Sequence, residues 1–332
     1  MKALLLVDEV EDKVQLAEIE KPSIGPNEVL IKMQAAALNH RDQWCRQGMY
    51  PAIEYGSVLG SDGCGIIEEI GSNVYVGWLN KTVIINPNIN WGDNPHAQSD
   101  LYNILGMPSN GTFAEYLVVP FDRIVEKPSH LTNEEASALP LGGLTAFRAV
   151  FTKGQVKKDS KVFVSGIGGG VAQFAFQFSK AQGAEVYTNS GNETKIKKAL
   201  ELGATGVYNY NDDDWIKKAI NESGGFDVII DSAGGDYMNH HLKMIKRGGN
   251  IVYYGSTTGM PKNFDIFRLF FSQAQIHGST MGNDEEFAEM LDFVDKSKIK
   301  PILDSVRPFD EIVSAFDEMK AGKQFGKLVV KF

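Results

Sequence analysis

The stretch Lys161-Val-Phe-Val-Ser-Gly-Ile-Gly-Gly-Gly-Val-Ala-Gln-Phe-Ala175 reads as an apolar strand, a cluster of glycines and the start of an amphipathic helix. Glycines at such a junction let the backbone turn tightly and approach a pyrophosphate, while the helix N-terminus offers unpaired N–H groups at its positive dipole end. The spacing is Gly166-x-x-Gly169-x-x-Ala172, with Gly170 and Val171 opening the helix, and not a regular GxGxxG. A plain strand-to-helix connection could use the same residues, so the surroundings decide, and here they favour a dinucleotide.

Downstream of this turn, apolar strands alternate with helical segments. Strands are expected at 161–165, 185–189, 206–209, 227–231, 250–255 and 275–279, and helices at 171–182, 193–202 and 213–223. Near-continuous apolar strands suit a parallel sheet covered on both faces, which makes this part an α/β doubly wound unit. Its fourth and fifth strand ends place Ser232, Gly255 and Ser256 along the carboxyl edge where such sheets take ligands. Upstream, an Asn-Glu-Glu helix start leads into an expected helix at 136–151. The first third carries short β-like runs (29–33, 65–70, 81–85, 113–119) between Gly, Pro and Asn, and reads as mostly β. After residue 283, helices at 284–296 and 310–321 precede a last strand at 327–332 that can rejoin the first domain. The adjacent His240 and His241 point to different faces of a helix, and a solvated surface is expected for them.

The second strand of the doubly wound unit ends in Thr188, Asn189 and Ser190, without the Asp or Glu that binds a ribose 2′-hydroxyl. Small polar groups followed by Lys195 would accept a 2′-phosphate, which points to NADPH; alternatively Lys195 belongs to a solvated basic face with Lys197 and Lys198.

Composition fits this picture. The chain has 332 residues, about twice a usual single domain of ~150, with 43% hydrophobic and 23% charged residues, enough for sizeable cores. Lys plus Arg number 33 against 42 Asp plus Glu, and a net charge of -9 gives no general attraction to nucleic acid or anionic membranes. Only Cys45 and Cys64 occur, too few for a disulfide framework or a four-thiolate site. MKALLLVDEVEDK lacks the apolar core of a signal peptide and nothing later reaches transmembrane length, so a soluble, cytoplasmic protein is expected.

Several further motifs accompany the glycine turn: Ala37-Leu-Asn-His-Arg-Asp, Leu59-Gly-Ser-Asp-Gly-Cys-Gly, Gly111-Thr-Phe-Ala-Glu-Tyr, Leu139-Pro-Leu-Gly-Gly-Leu-Thr-Ala-Phe and Phe325-Gly-Lys-Leu-Val-Val. Together they make the chain similar to the medium-chain dehydrogenase/reductase superfamily, and within it to the zinc-independent quinone oxidoreductase branch. That resemblance implies a mostly β, GroES-like catalytic domain over 1–128 and 284–332 and a Rossmann NADPH-binding domain over 129–283. It implies that Lys195 and Tyr210 hold the 2′-phosphate, that Thr145 lies near the nicotinamide, and that Phe325 to Lys327 return beside it, with Lys327 touching the cofactor. Zinc ligands of metal-dependent relatives align with Asn39, Ser61 and Leu141, none of which is Cys or His, and the lobe at 86–110 has no cysteine. His40, Cys45, Asp62, Cys64 and His96 remain as an unusual alternative metal set.

Without a metal, simple alcohol oxidation is hard, whereas a quinone or α,β-unsaturated carbonyl delocalises charge to an oxygen that hydrogen-bond donors can stabilise. Asn39, His40, Arg41 and Asp62 are the catalytic candidates; Asp62 paired with Arg41, and His40 as a satisfied core histidine, are the bland alternatives. Trp44 stands where some quinone reductases have a tyrosine, and an indole N–H is no proton-transferring acid; Tyr50 and Tyr55 follow in the loop. The 91–107 segment, with Trp91, Tyr102 and Met107, either lines the substrate entrance or is a remnant of the zinc lobe. Alcohol or aldehyde dehydrogenase, enoyl thioester reductase and a non-enzymatic NADPH-binding protein stay open as rivals. Four phenylalanines in 264–278 exceed what a helix covering one sheet face needs, and predict a homodimer beside the strand at 275–279.

Overall fold

The computed structural model describes all 332 residues, which divide into two compact units, Met1–Gly142 with Asn283–Phe332, and Gly143–Gly282.

Unit 1 starts with the hairpin β1 (Lys2–Leu6) and β2 (Val14–Glu18). It continues through β3 (Glu28–Ala37), α1 (His40–Arg46), β4 (Asp62–Ile70), β5 (Thr82–Ile85), the short pair β6 (Asn88–Ile89) and β7 (Asn103–Ile104), β8 (Tyr116–Pro120), β9 (Ile124–Glu126) and α2 (Asn133–Ser137). The helix α3 (Pro140–Phe147) crosses into unit 2, and there β10 (Lys161–Val164), α4 (Gly170–Ala181), β11 (Glu185–Ser190), α5 (Glu193–Glu201) and β12 (Gly206–Asn209) follow. Then come α6 (Trp215–Ser223), β13 (Phe226–Asp231), α7 (Tyr237–Met244), β14 (Ile245–Tyr253), α8 (Ile266–Ser272) and β15 (Gln275–Gly278). Back in unit 1 lie α9 (Asp284–Ser297), β16 (Leu303–Pro308), α10 (Ile312–Lys320) and β17 (Lys327–Lys331).

The main sheet of unit 1 has the order β16-β17-β3-β4-β5-β9, with β8 pairing β3. The final strand rejoins this sheet as expected: β17 runs antiparallel to β3, Val329 opposite Ala37, and β4 flanks the other side with Asp62 opposite the same Ala37. Leu4, Leu6, Phe113, Ile312 and Phe316 build one core, and Val29, Ile31, Ile67, Val83 and Leu117 a second. Both remove large apolar surface from water, the main stabilising effect.

Unit 2 is a six-stranded parallel sheet of order β12-β11-β10-β13-β14-β15. Consecutive residues Val162, Phe163 and Val164 of β10, Ile229 and Ile230 of β13, and Ile251 and Val252 of β14 are fully buried, the sign of strands covered on both faces. Strand order reverses between β10 and β13, the switch point where such sheets bind ligands.

Two expectations need correction. The single helix at 136–151 is three pieces, α2, α3 and a π-helical turn at Arg148–Lys153. Pro140 explains the first break, because proline has no N–H to donate and pushes Leu139 away from the helical region. Residues 129–142 also belong to unit 1, where α2 packs on β3, β4 and β17.

Candidate active site

In unit 1 the sheet register gathers three sequence-distant segments at one end. Beyond Ala37, β3 gives way to Leu38 and Asn39; β4 begins at Asp62; β17 begins at Lys327. The Lys327 ammonium donates to Leu38 O at 2.8 Å, Asn39 Oδ1 at 2.6 Å and Asp62 Oδ2 at 2.9 Å. Asp62, 0% exposed, also accepts from Asn39 Nδ2 at 2.9 Å and from the Leu141 N–H at 2.7 Å. An ammonium has three donors, and here all three meet protein acceptors. Lys327 is therefore the counter-cation of Asp62 in the interior of unit 1.

Arg41 is also buried and bonded within the protein. Its Nη1 donates to Ser61 Oγ at 2.6 Å and to Leu105 O at 2.9 Å, and its guanidinium lies 4.7 Å from the Tyr50 ring centre. Ser61 Oγ itself donates to Leu105 O at 2.7 Å. Arg41 thus fastens the segment after β7 to the start of β4, and the anticipated Asp62–Arg41 pairing does not form. Its neighbour Asp42 is buried on α1, accepting from the Asn39 N–H at 2.8 Å. Burial pushes the Asp42 carboxyl up to about 6, with Arg41 and the Asn39 N–H pulling the other way.

His40 differs from these neighbours in keeping its ring exposed. The protein mass around it lowers its pKa from the ordinary value, and the Lys327 ammonium adds to the effect. A neutral imidazole at this position can present an N–H.

The residues aligned with zinc ligands do not fit zinc. Asn39 and Asp62 spend their oxygens on Lys327 and on each other, Ser61 is tied to Arg41, and Leu141 contributes a backbone N–H. Burial pushes the thiols of Cys45 and Cys64 up to about 12. No cluster of three or more His, Cys, Asp or Glu side chains is placed to hold a metal ion. In the 86–110 lobe, Trp91 is buried with its indole N–H on Asn94 O and packs edge-on against Tyr102, while Met107 joins the first core. Tyr55 is exposed, and Tyr50 is taken up under Arg41.

In unit 2 the glycine turn has room for a phosphate. Gly166 has a φ of +67°, a conformation that favours glycine, and a Cβ built there meets nothing within 4 Å. Gly169 caps α4, so the N–H groups of Gly170, Val171 and Ala172 have no acceptor within the helix. Asn189 supports the turn from behind, its Oδ1 accepting the Gly166 N–H at 2.8 Å. Thr188 donates to Val164 O at 2.6 Å and Ser190 accepts the Asn192 N–H at 3.2 Å, so these side chains shape the corner from within. Asn192 caps α5 by accepting the Lys195 N–H, and the half-exposed Tyr210 lies so close to Gly191 that a Cβ there would come within 2.5 Å of its ring. Lys195 and Tyr210 therefore flank one corner at the end of β11. Ser232 O accepts the Thr257 N–H, Ser256 donates to Gly259 O, and the backbone of Gly255 packs on Ser232. Thr145 is buried with its hydroxyl 3.5 Å from Met281 Sδ; in unit 1, Phe325 is buried with its N–H on Asp304 Oδ1. Within unit 2, the open glycine turn, the amides at the start of α4 and the corner at the end of β11 can hold a nicotinamide dinucleotide.

A buried network at the ends of β10 and β13 was missed. His241, expected at a solvated surface, is 1% exposed and lies beside Asp231 and Tyr253. Tyr237, His241 and Met244 fall at i, i+4 and i+7, a spacing that puts them on one helix face and could have signalled the burial.

Comparison with known proteins identifies the family. Residues 25–129 match the alcohol dehydrogenase GroES-like domain and residues 170–296 the zinc-binding dehydrogenase family. A zinc-type alcohol dehydrogenase-like protein YogA of Leptosphaeria maculans is 38% identical over 343 residues, covering 96% of this chain and 94% of its own. A crotonyl-CoA carboxylase/reductase of Cereibacter sphaeroides is 26% identical over 94% of this chain and 81% of its own. The crystal structure of an NAD-dependent alcohol dehydrogenase superposes with a TM-score of 0.94 at 33% identity, covering 100% of both chains. With both domain types, the open glycine turn and these relatives in hand, the chain belongs to the medium-chain dehydrogenase/reductase superfamily of nicotinamide-dependent oxidoreductases.

Proposed function

We propose that the chain is an NADPH-dependent, zinc-independent reductase that delivers hydride to a quinone or to the activated double bond of an α,β-unsaturated carbonyl. The observation that carries this reading is the Lys327–Asp62–Asn39 network, which occupies the polar atoms that a catalytic zinc would need. Lacking a Lewis acid, the protein favours acceptors whose own conjugation spreads the developing charge. One relative is named for crotonyl-CoA, a conjugated thioester, which supports this substrate class.

A bound NADPH supplies the hydride. The amides of Gly170, Val171 and Ala172 bind its pyrophosphate, Ser232, Gly255 and Ser256 border it, and Lys195 and Tyr210 hold the 2′-phosphate at a strand end with no carboxylate to repel it. Of the catalytic candidates, His40 is the group that meets the substrate: neutral at pH 7 and exposed, its N–H stabilises the oxygen on which charge develops. Asn39, Arg41 and Asp62 act through position, fixing the turn into α1 from which His40 projects. The proton that completes reduction comes from water.

The exposed Phe267, Phe270 and Phe271 on α8, beside the edge strand β15, support a homodimer formed through that edge. Two free, buried cysteines and the absence of any helix long and apolar enough to cross a membrane accompany a cytoplasmic assignment.

The deciding experiment is a panel of quinones, enals, enones, enoyl thioesters and simple alcohols assayed with NADPH, NADH and their oxidised forms. Rapid NADPH consumption with the conjugated acceptors is expected. Alcohol oxidation outpacing it would move the protein to the alcohol dehydrogenases, and cofactor binding without turnover would make it a non-enzymatic NADPH-binding protein.

A further inference from the structure

Neighbouring strands β10 and β13 run in parallel, with Val164 level with Ile230, yet the chain leaves them toward opposite sides of the sheet. The crevice at such a switch point takes its shape from the two turns that border it. In unit 2 one carboxylate ties those turns together. Asp231, the last residue of β13, is fully buried. Its Oδ1 accepts the hydroxyl proton of Ser165, which opens the glycine-rich turn, and its Oδ2 accepts the Gly234 N–H at 2.7 Å. Gly234 has a φ of +65°, and a Cβ there would lie 3.1 Å from Ser256 Oγ, so the second turn holds a tight shape against the loop after β14.

Behind the carboxylate, His241 Nε2 lies 3.8 Å from Asp231 Oδ1 and Nδ1 lies 3.0 Å from the Tyr253 hydroxyl. Burial lowers the His241 pKa against the opposing pull of Asp231, and the hydrogen bonds to the carboxylate come from Ser165 and Gly234. An anion buried at the edge of an anion-binding site works against a pyrophosphate by charge alone. Its use is therefore geometric: two acceptor atoms aimed at two turns.

We propose that Asp231 is a positioning residue for the cofactor, holding Ser165 and Gly234 so that the glycine-rich turn and the turn at 232–236 keep the shape that accepts a dinucleotide pyrophosphate. The proposal rests on the reading of that turn as the cofactor site, and the wild-type titration tests that reading separately. NADPH and NADH are titrated into the wild type, Asp231→Ala, Asp231→Asn and Ser165→Ala, together with the thermal midpoint of each ligand-free protein and steady-state kinetics.

For Asp231→Ala the better-bound cofactor should weaken about tenfold or more, with KM rising in step and kcat at saturation within about twofold. Asp231→Asn should recover affinity to within about threefold of wild type, because its oxygen still accepts from Gly234 and its amide donates to the Ser165 hydroxyl. Ser165→Ala, which removes one arm, should fall between them. Wild-type affinity in Asp231→Ala, whatever its thermal midpoint, overturns the proposal, as does an Asp231→Asn variant as weak as Asp231→Ala. Should Asp231→Ala fail to fold, undiminished affinity in Ser165→Ala overturns it instead. A wild type that binds neither dinucleotide removes the cofactor reading and the proposal together.

Discussion

Replacing Lys327 by methionine keeps an unbranched side chain of similar length and deletes a cation 2.9 Å from Asp62 Oδ2. The carboxylate, 0% exposed, retains the Asn39 amide and the Leu141 N–H, while Leu38 O and Asn39 Oδ1 lose their donor. Removing one partner of a buried ion pair costs about 3–5 kcal/mol, and the two surviving donors favour the lower end, roughly 3 kcal/mol. For a domain of unit 1's size each kcal/mol moves the midpoint by about 2–4 °C, so Lys327→Met should lower the unfolding midpoint of that unit by on the order of 10 °C. Thermal and urea unfolding followed by circular dichroism measure this. The double variant Asp62→Asn/Lys327→Met leaves no lone buried charge and should regain more than half the loss. A Lys327→Met midpoint within about 2 °C of wild type would refute the argument that this pair anchors the site.

Three further outcomes follow from the same structure. Asp42 has a folded pKa of about 6, above its unfolded value, so the folded state holds a proton the unfolded state has lost and stability falls as pH rises between about 4 and 6. Asp42→Asn keeps an acceptor for the Asn39 N–H and should raise stability by about 1–3 kcal/mol at pH 7.5 with little gain near pH 4; equal gains at both would contradict the assignment. Lys195→Ala should weaken NADPH about tenfold or more and leave NADH nearly unchanged, and equal weakening of both would remove Lys195 from the 2′-phosphate site. Sedimentation should show a dimer that Phe270→Glu or Ile276→Lys dissociates; a monomeric wild type, or dimers indifferent to both changes, would exclude the α8–β15 surface.

Much of the architecture was legible because it is written locally. Buried parallel strands are short apolar runs, and the glycine turn announces itself between β10 and α4. Pro140 could have divided the helix at 136–151, since its effect on Leu139 is a local rule. The chemistry of the site was harder to read. Asn39, Asp62 and Lys327 meet only because β17 closes onto β3 from almost the far end of the chain, and no local pattern carries that register. Motif reading therefore allowed Arg41 to pair with Asp62, whereas Arg41 binds Ser61 and the 104–107 segment. Asp231 was visible only as a strand end; its partners Ser165 and Gly234 come from two different turns that the sheet order brings together.

The central claim is hydride transfer to a conjugated acceptor without a metal. Its most direct test is NADPH consumption with a quinone and an enone by protein exhaustively dialysed against a chelator, with zinc content measured on the same sample. The account predicts an undiminished rate at substoichiometric zinc and a loss of about ten- to a hundredfold in His40→Ala. A rate that disappears with zinc and returns when zinc is restored would contradict it.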